Sequence, residues 1–247
     1  MKTLTSQLSR SFVLAALPAA LAFSSCSDDD KSDPTPDQGR VLISHAAASA
    51  NVQVKALLND TEVGQLTYGQ SSAYLTVNAG SPTLKINNSA NQTAASKAIT
   101  IAKDQSYSVF AYAPTATSVD VKAFADDLTA PAAGQAKIRV VHLAFGAPSP
   151  VKLSQQTVAG ATDVPGVSVP FEGASAFTPI PAGSYNLLIT TGAASVPVVA
   201  VGDGTGTGLA TATKNYEAGK IYTVVVRGIA GSIDPALQPK AVVIQNN

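Results

Sequence analysis

The chain has no tryptophan, a single cysteine, one methionine and two histidines among 247 residues. With one cysteine no intrachain disulfide can staple a fold, so burial of aliphatic side chains must hold any domain together. Charged residues make up only 13% of the chain, and Lys plus Arg balance Asp plus Glu at 16 each. Nucleic-acid or anionic-lipid binding through bulk positive charge is therefore excluded. Long apolar runs are missing too. The longest, Phe12 to Phe23, has 12 residues and contains Pro18, too short to span a bilayer as a helix.

What is present at the N-terminus is an address. Lys2 and Arg10 are the only charges before the apolar run, and Ser24 and Ser25 separate that run from Cys26. A positive n-region, an apolar h-region and small residues read as a secretory signal peptide over 1–25. The cysteine at its end resembles the lipobox of bacterial lipoproteins, in which the thiol takes a diacylglycerol and becomes the new N-terminus. Phe23 departs from the Leu usual three residues earlier. The run Cys26-Ser27-Asp28-Asp29-Asp30 resembles the export signal that sends lipoproteins of Bacteroidetes-type bacteria to the outer face of the outer membrane. Residues 26–38 are polar, acidic and proline-containing, the composition of a disordered tether. The 14 residues from Cys26 to Gly39 reach roughly 20 Å as a flexible coil and about 45–50 Å fully extended. An EF-hand reading of this acidic run fails, because the Gly turn, distal Glu and flanking helices are missing. The expected location is the outer membrane, lipid-anchored and exposed on the cell surface.

Without Lys2 and Arg10, 14 basic and 16 acidic residues remain, a net charge of −2. Val, Ala, Thr, Ser and Gly dominate, which favours β structure over helices. The chain also repeats itself. Arg40–His45 matches Lys137–His142 at an offset of 97 residues, Tyr68–Gly80 matches Phe171–Gly183 at 103, and Tyr107 matches Tyr222 at 115. Short alternating segments separated by turn residues, such as Val52–Leu58, Thr83–Ile86 and Ser106–Tyr112, predict an all-β fold. The expected organisation is two tandem antiparallel sandwiches of immunoglobulin-like shape, over 39–127 and 136–247, with a linker at 128–135 crossed by few contacts. Expected strands also include Ala98–Ile101 and Ala174–Ile180.

The repeated motifs resemble the bacterial domain-of-unknown-function family 4397, whose members often occur as tandem pairs in lipoproteins and cell-surface proteins. The residues that carry the likeness are Lys137-Ile-Arg-Val-Val-His-Leu-Ala-Phe-Gly-Ala-Pro148, Leu66-Thr-Tyr-Gly69, Pro181-Ala-Gly183 with Tyr185, and Glu217-Ala-Gly-Lys-Ile-Tyr222-Thr. The likeness covers nearly all of 40–247. An Asp usual in the family's second strand is absent from Asn51–Val54 and from Ser149–Lys152. The resemblance implies a fold and a location and names no activity.

Catalytic motifs are thin. His45 and His142 occupy equivalent repeat positions with no Cys or Glu at ligand spacing, so they are expected to pack and hydrogen-bond structurally, with no metal and no cofactor. Gly202-Asp-Gly-Thr-Gly-Thr-Gly208 fits neither a dinucleotide fingerprint nor a P-loop and reads as a hairpin loop, with a strand over Leu209–Lys214. Asp126-Asp127 reads as a solvated boundary. The tyrosines read as packing residues, since a carbohydrate platform without Trp would be unusual. Two function classes follow. The first is a non-catalytic surface module that binds a protein or glycan or acts as a spacer. The alternative is a glycan-active enzyme or accessory subunit using two of Glu62, Asp120, Asp163, Glu172, Asp203 and Glu217, which would have to converge about 5–10 Å apart.

Overall fold

In the first half of the protein, eight strands form two four-stranded sheets. They are β1 (Gln38–Ala46), β2 (Val54–Leu58), β3 (Thr61–Leu66), β4 (Leu75–Asn78), β5 (Thr83–Asn87), β6 (Thr93–Ala98), β7 (Ser106–Tyr112) and β8 (Asp120–Asp126). The orders are β4-β1-β7-β8 and β3-β2-β5-β6. Strand β2 shows why the chain folds this way: its burial alternates along Val54-Lys-Ala-Leu-Leu58, so Val54, Ala56 and Leu58 face the core. They meet Val41, Ile43, Val109 and Val121 from the opposing sheet. Each such side chain fully buried contributes about 1.5–3 kcal/mol. The computed structural model describes residues 36–202 and 213–247. Cys26, Ser27, Asp28, Asp29, Asp30, the glycine-rich stretch from Asp203 and the first four residues of the strand expected over Leu209–Lys214 lie outside the described residues, while Lys214 opens a strand Lys214–Tyr216.

The second half follows the same plan with additions: β9 (Gln135–Phe145), β10 (Val151–Thr157), β11 (Gly160–Val169), β12 (Gly173–Ala174), β13 (Thr178–Pro181), β14 (Gly183–Tyr185), β15 (Leu187–Thr191), β16 (Val196–Gly202), β17 (Lys214–Tyr216), β18 (Ile221–Ile229) and β19 (Lys240–Gln245). One path runs β11-β10-β15-β16-β19-β18-β9-β12, with β13 also on β9 and β14 on β17. Its core gathers Val140, Leu153, Ile189, Val224 and Val226.

The pairing registers of the halves coincide under the sequence offsets. Arg40 lies opposite Ser106 as Lys137 lies opposite Ile221. Val41 faces Leu75 as Ile138 faces Thr178, and Leu58 faces Leu84 as Gln155 faces Leu187. The match holds pair by pair because a one-residue slip would turn every core side chain outward.

The protein is all-β, as composition suggested, but the sheets are mixed. Strand β1 runs parallel to β7, β9 parallel to β18, and β16 parallel to β19. A parallel pair needs a long crossover, and the strands that lie between the partners in sequence supply it. Two further expectations need correction. The sixth strand is Thr93–Ala98, not Ala98–Ile101: its residues are mostly exposed and carry little apolar pattern, while Ile99 and Ile101 are buried just outside it. Strand β11 has no counterpart among the expected strands, because Pro165 and Gly166 disguise an outer strand.

The linker at 128–135 does not separate the halves. The chain divides at Thr35/Pro36, and Pro36–Asn247 forms one compact unit. Strands β7, β9 and β18 are buried along almost their whole length. One face of each points into its own core and the other into a third apolar cluster, built from Ala46, Phe110 and Tyr112 of the first half with Val141, Leu143 and Val225 of the second.

Candidate functional site

The junction between the two halves holds a network of buried polar side chains. Arg139 on β9 is 1% exposed, and its guanidinium points into the first half. Nη2 donates to Asp126 Oδ1 and, at 3.0 Å, to Ser108 Oγ; Nη1 donates to the Ala125 carbonyl at 3.0 Å and Nε to Thr223 Oγ1 at 3.0 Å. The second oxygen of Asp126 accepts from Ser108 at 2.8 Å and from the Tyr74 hydroxyl. Asn246 closes the circuit, accepting from Thr223 at 2.8 Å and donating to the Tyr74 oxygen at 3.0 Å. Burial, then the Asp126 charge, pushes the Tyr74 phenol up to about 12. Tyr74 therefore stays a hydrogen-bond donor throughout the physiological range. Asp126 is thus not the solvated boundary residue its place in the sequence suggested, whereas Asp127 is exposed and pairs with Lys137 at 2.9 Å.

At the opposite end of the junction Arg227 on β18 is 6% exposed. Its guanidinium carbon sits 4.1 Å from the Tyr68 ring centre, a cation–π contact that offsets part of the desolvation of the charge. Among the described residues its Nε and Nη1, and the Tyr68 hydroxyl, have no hydrogen-bond partner. Gly69 has φ +94°, and a Cβ there would lie 2.5 Å from Arg227 Nη2. Glycine answers both constraints.

The two histidines mark equivalent places. Each is fully buried and meets an aromatic ring edge-on, Tyr68 at 5.8 Å from His45 and Phe171 at 5.7 Å from His142. His45 Nε2 faces the carbonyls of Ala50 at 3.0 Å and Val52 at 3.1 Å, and Nδ1 faces the Ala47 amide at 3.4 Å. That arrangement fits a neutral ring protonated at Nε2. His142 Nε2 faces the Pro148 carbonyl at 3.2 Å, and its buried Nδ1 has no partner among the described residues. Both rings pin the loop after the first strand of their half.

Burial holds both histidines below their ordinary value of 6.5. Carbonyl contacts oppose the shift in each, and the Arg227 charge adds to it at His45. Below pH 6.5 the unfolded chain then binds more protons than the folded one. Their contribution is complete above pH 6.5 and is lost as pH falls from there toward the lower folded values. Asp127 and Asp163, both lowered from 3.8 to about 2, act in a separate window, being fully stabilising above 3.8 and losing that effect toward pH 2. Thermal unfolding followed from pH 7.5 to 5.5 should show a falling midpoint, and the His45→Gln/His142→Gln double variant should flatten that slope. An equal slope in both proteins would contradict the assignment.

Among the described residues the candidate carboxylates are held by separate partners, and two of them, Asp120 and Glu172, both act on the Tyr112 hydroxyl. Asp163 is held by Lys152, Ser154 and Ser195, Asp120 by Lys97, and Glu172 by Lys122. Glu62 accepts from its neighbour Gln65, and Asp203 lies outside the described residues. Among the described residues no three of His, Cys, Asp and Glu come close enough to hold a metal ion.

Residues 41–154 match the family described as Domain of unknown function (DUF4397). The DUF4397 match starts in β1 and ends in β10, so it spans the first half and enters the second; the likeness read from the motifs ran on to residue 247. No curated protein sequence matches the chain. Among solved structures it is similar to the Bacillus anthracis TIE protein, at 12% identity and a TM-score of 0.25 over 77% of this chain and 34% of that one. A leucine-rich repeat protein from Bacteroides thetaiotaomicron VPI-5482 matches at 12% identity and a TM-score of 0.21, over 83% and 27%. The tip fimbrial protein Mfa3 from Porphyromonas gingivalis, C-terminally truncated, matches at 10% identity and a TM-score of 0.28, over 85% and 99%. The chain thus spans about a third or less of the first two structures.

Proposed function

We propose that the protein is a non-catalytic lipoprotein of the bacterial outer membrane, held by a lipid on Cys26 and carrying its strand-built body at the cell surface as a binding or spacer module. The observation that carries this reading is the order of residues at the N-terminus: an apolar h-region, small residues, a lone cysteine and then Ser27-Asp28-Asp29-Asp30. The rest of the chain supports it. Its buried charged residues serve the junction between the halves, and its surface carboxylates pair with lysines at separate places. Rigid construction on an acidic tether suits presentation of loops and sheet surface to a partner outside the cell.

The test is protease access. Replacing Asp28, Asp29 and Asp30 by Ala should leave lipidation intact but protect the protein from protease added to whole cells. Equal digestion of variant and wild type would show that these residues are tether only, and full protection of the wild type would contradict surface exposure.

A further inference from the structure

A groove of about 610 Å³ opens at one side of the junction, between the segment leading into β4 and the C-terminal strand β19. Its walls include Arg40, Leu42, Gly69, Tyr74, Val242 and Asn246. The meaning of this groove comes from how the halves pack. Tyr68 of the first half meets Arg227 of the second. Its equivalent Phe171 packs on the apolar cluster that contains Tyr112, and Glu172 acts on the Tyr112 hydroxyl; Tyr112 is the equivalent of Arg227. Each half offers the same face to the other, as two subunits do in an isologous dimer.

The groove therefore has a counterpart across the junction, built from equivalent positions. There, three ion pairs occupy the equivalent positions: Arg139 with Asp126, Lys137 with Asp127 at 2.9 Å, and Lys122 with Glu172 at 3.8 Å. Asp120 faces Tyr112 as Lys240 faces Arg227, so β8 aligns with β19 at an offset of 120 residues, and in the groove the three acid positions are Asn246, Asn247 and Gly69. Two of the three cation positions are Leu42 and Val242. Only Arg40, the equivalent of Lys137, keeps its charge. Arg40 is exposed, its Nε donates to Ser106 Oγ at 3.2 Å, and its guanidinium lies 5.4 Å from the Tyr74 ring centre. Among the described residues no carboxylate pairs with it.

We infer that this groove takes an acidic peptide segment of a partner protein, with an Asp or Glu carboxylate pairing with Arg40 as Asp127 pairs with Lys137. At the counterpart positions the cations are paired with Asp and Glu side chains of a polypeptide, which favours a peptide over an acidic sugar. Leu42, Tyr74 and Val242 supply an apolar floor beside the charge. The size is within the roughly 300–1,000 Å³ of ligand pockets. The inference rests on the reading of the protein as a binding module and names the chemistry of its partner.

The experiment uses the full mature protein in detergent micelles, titrated with a fluorescein-labelled hexapeptide of alternating Asp and Ala and read by anisotropy at low salt. Saturable binding should weaken at least tenfold in Arg40→Gln and stay unchanged in Lys137→Gln. It should also weaken in Asn247→Asp, which supplies an internal acid beside Arg40. Absence of saturable binding, or equal affinity in Arg40→Gln, would overturn the inference. Binding of an oligogalacturonate in preference to the peptide would overturn the choice of partner. Detergent partitioning of the same sample separates the outcomes: a protein that partitions but does not bind peptide has lost this inference and kept its anchor.

Discussion

Replacing Arg139 by Ala should cost about 3–5 kcal/mol, the largest loss expected of any single polar side chain in this protein. The variant leaves Asp126 buried, with a side chain 0% exposed, and without a counter-charge. It also removes partners from Ser108, Thr223 and the Ala125 carbonyl. For a folded body of this size the loss corresponds to a fall in Tm on the order of 10 °C. Asp126→Ala should be comparably harmful, because it strands the guanidinium instead. The double variant Arg139→Met/Asp126→Leu should recover much of the loss, since it removes both charges and leaves Thr223 and Tyr74 paired with Asn246. Additive losses in the double variant would show that the two side chains do not act as a pair.

The second large effect is on location. Cys26→Ala should move the protein from the detergent phase to the aqueous phase, or leave it as an unprocessed precursor. Each buried methylene of an acyl chain contributes about 0.8 kcal/mol, and one chain alone gives only marginal binding, so the two chains of a diacylglycerol are what make anchoring stable. No helix among the described residues is long and apolar enough to hold the protein in a membrane by itself. Mass spectrometry of the wild-type N-terminal peptide should show the lipid on Cys26. An unmodified thiol in a wild-type protein that stays in the aqueous phase would contradict the anchor.

Strand identity and repeat register were legible because each half must face aliphatic side chains inward at a period of two. Val54, Ala56 and Leu58 announce one face of β2, and the offsets that align His45 with His142 also align the strand pairs. The strand directions were not legible, since alternation marks a face and carries no sign of a parallel neighbour. The junction was hidden for a different reason. Asp126 precedes a stretch of Ala, Pro and Gly, so it reads as a boundary residue, and only the fold brings Arg139 against it. Yet a signal was there. Strand β18, which opens Ile221-Tyr-Thr-Val-Val-Val, lacks the alternation of a strand with one wet face. Such continuous apolar runs mean burial on both sides, and a second buried side implies a partner sheet. The groove could not be found from sequence, because it depends on which equivalent positions lost their charges across a junction that only the fold defines.

The central claim is that the two halves, though built on one plan, form a single body through their inner sheets. Differential scanning calorimetry of the mature protein tests it most directly. The account predicts one transition whose calorimetric and van't Hoff enthalpies agree, shifted as a whole in Arg139→Ala. Two resolved transitions, with Arg139→Ala lowering only one of them, would contradict it.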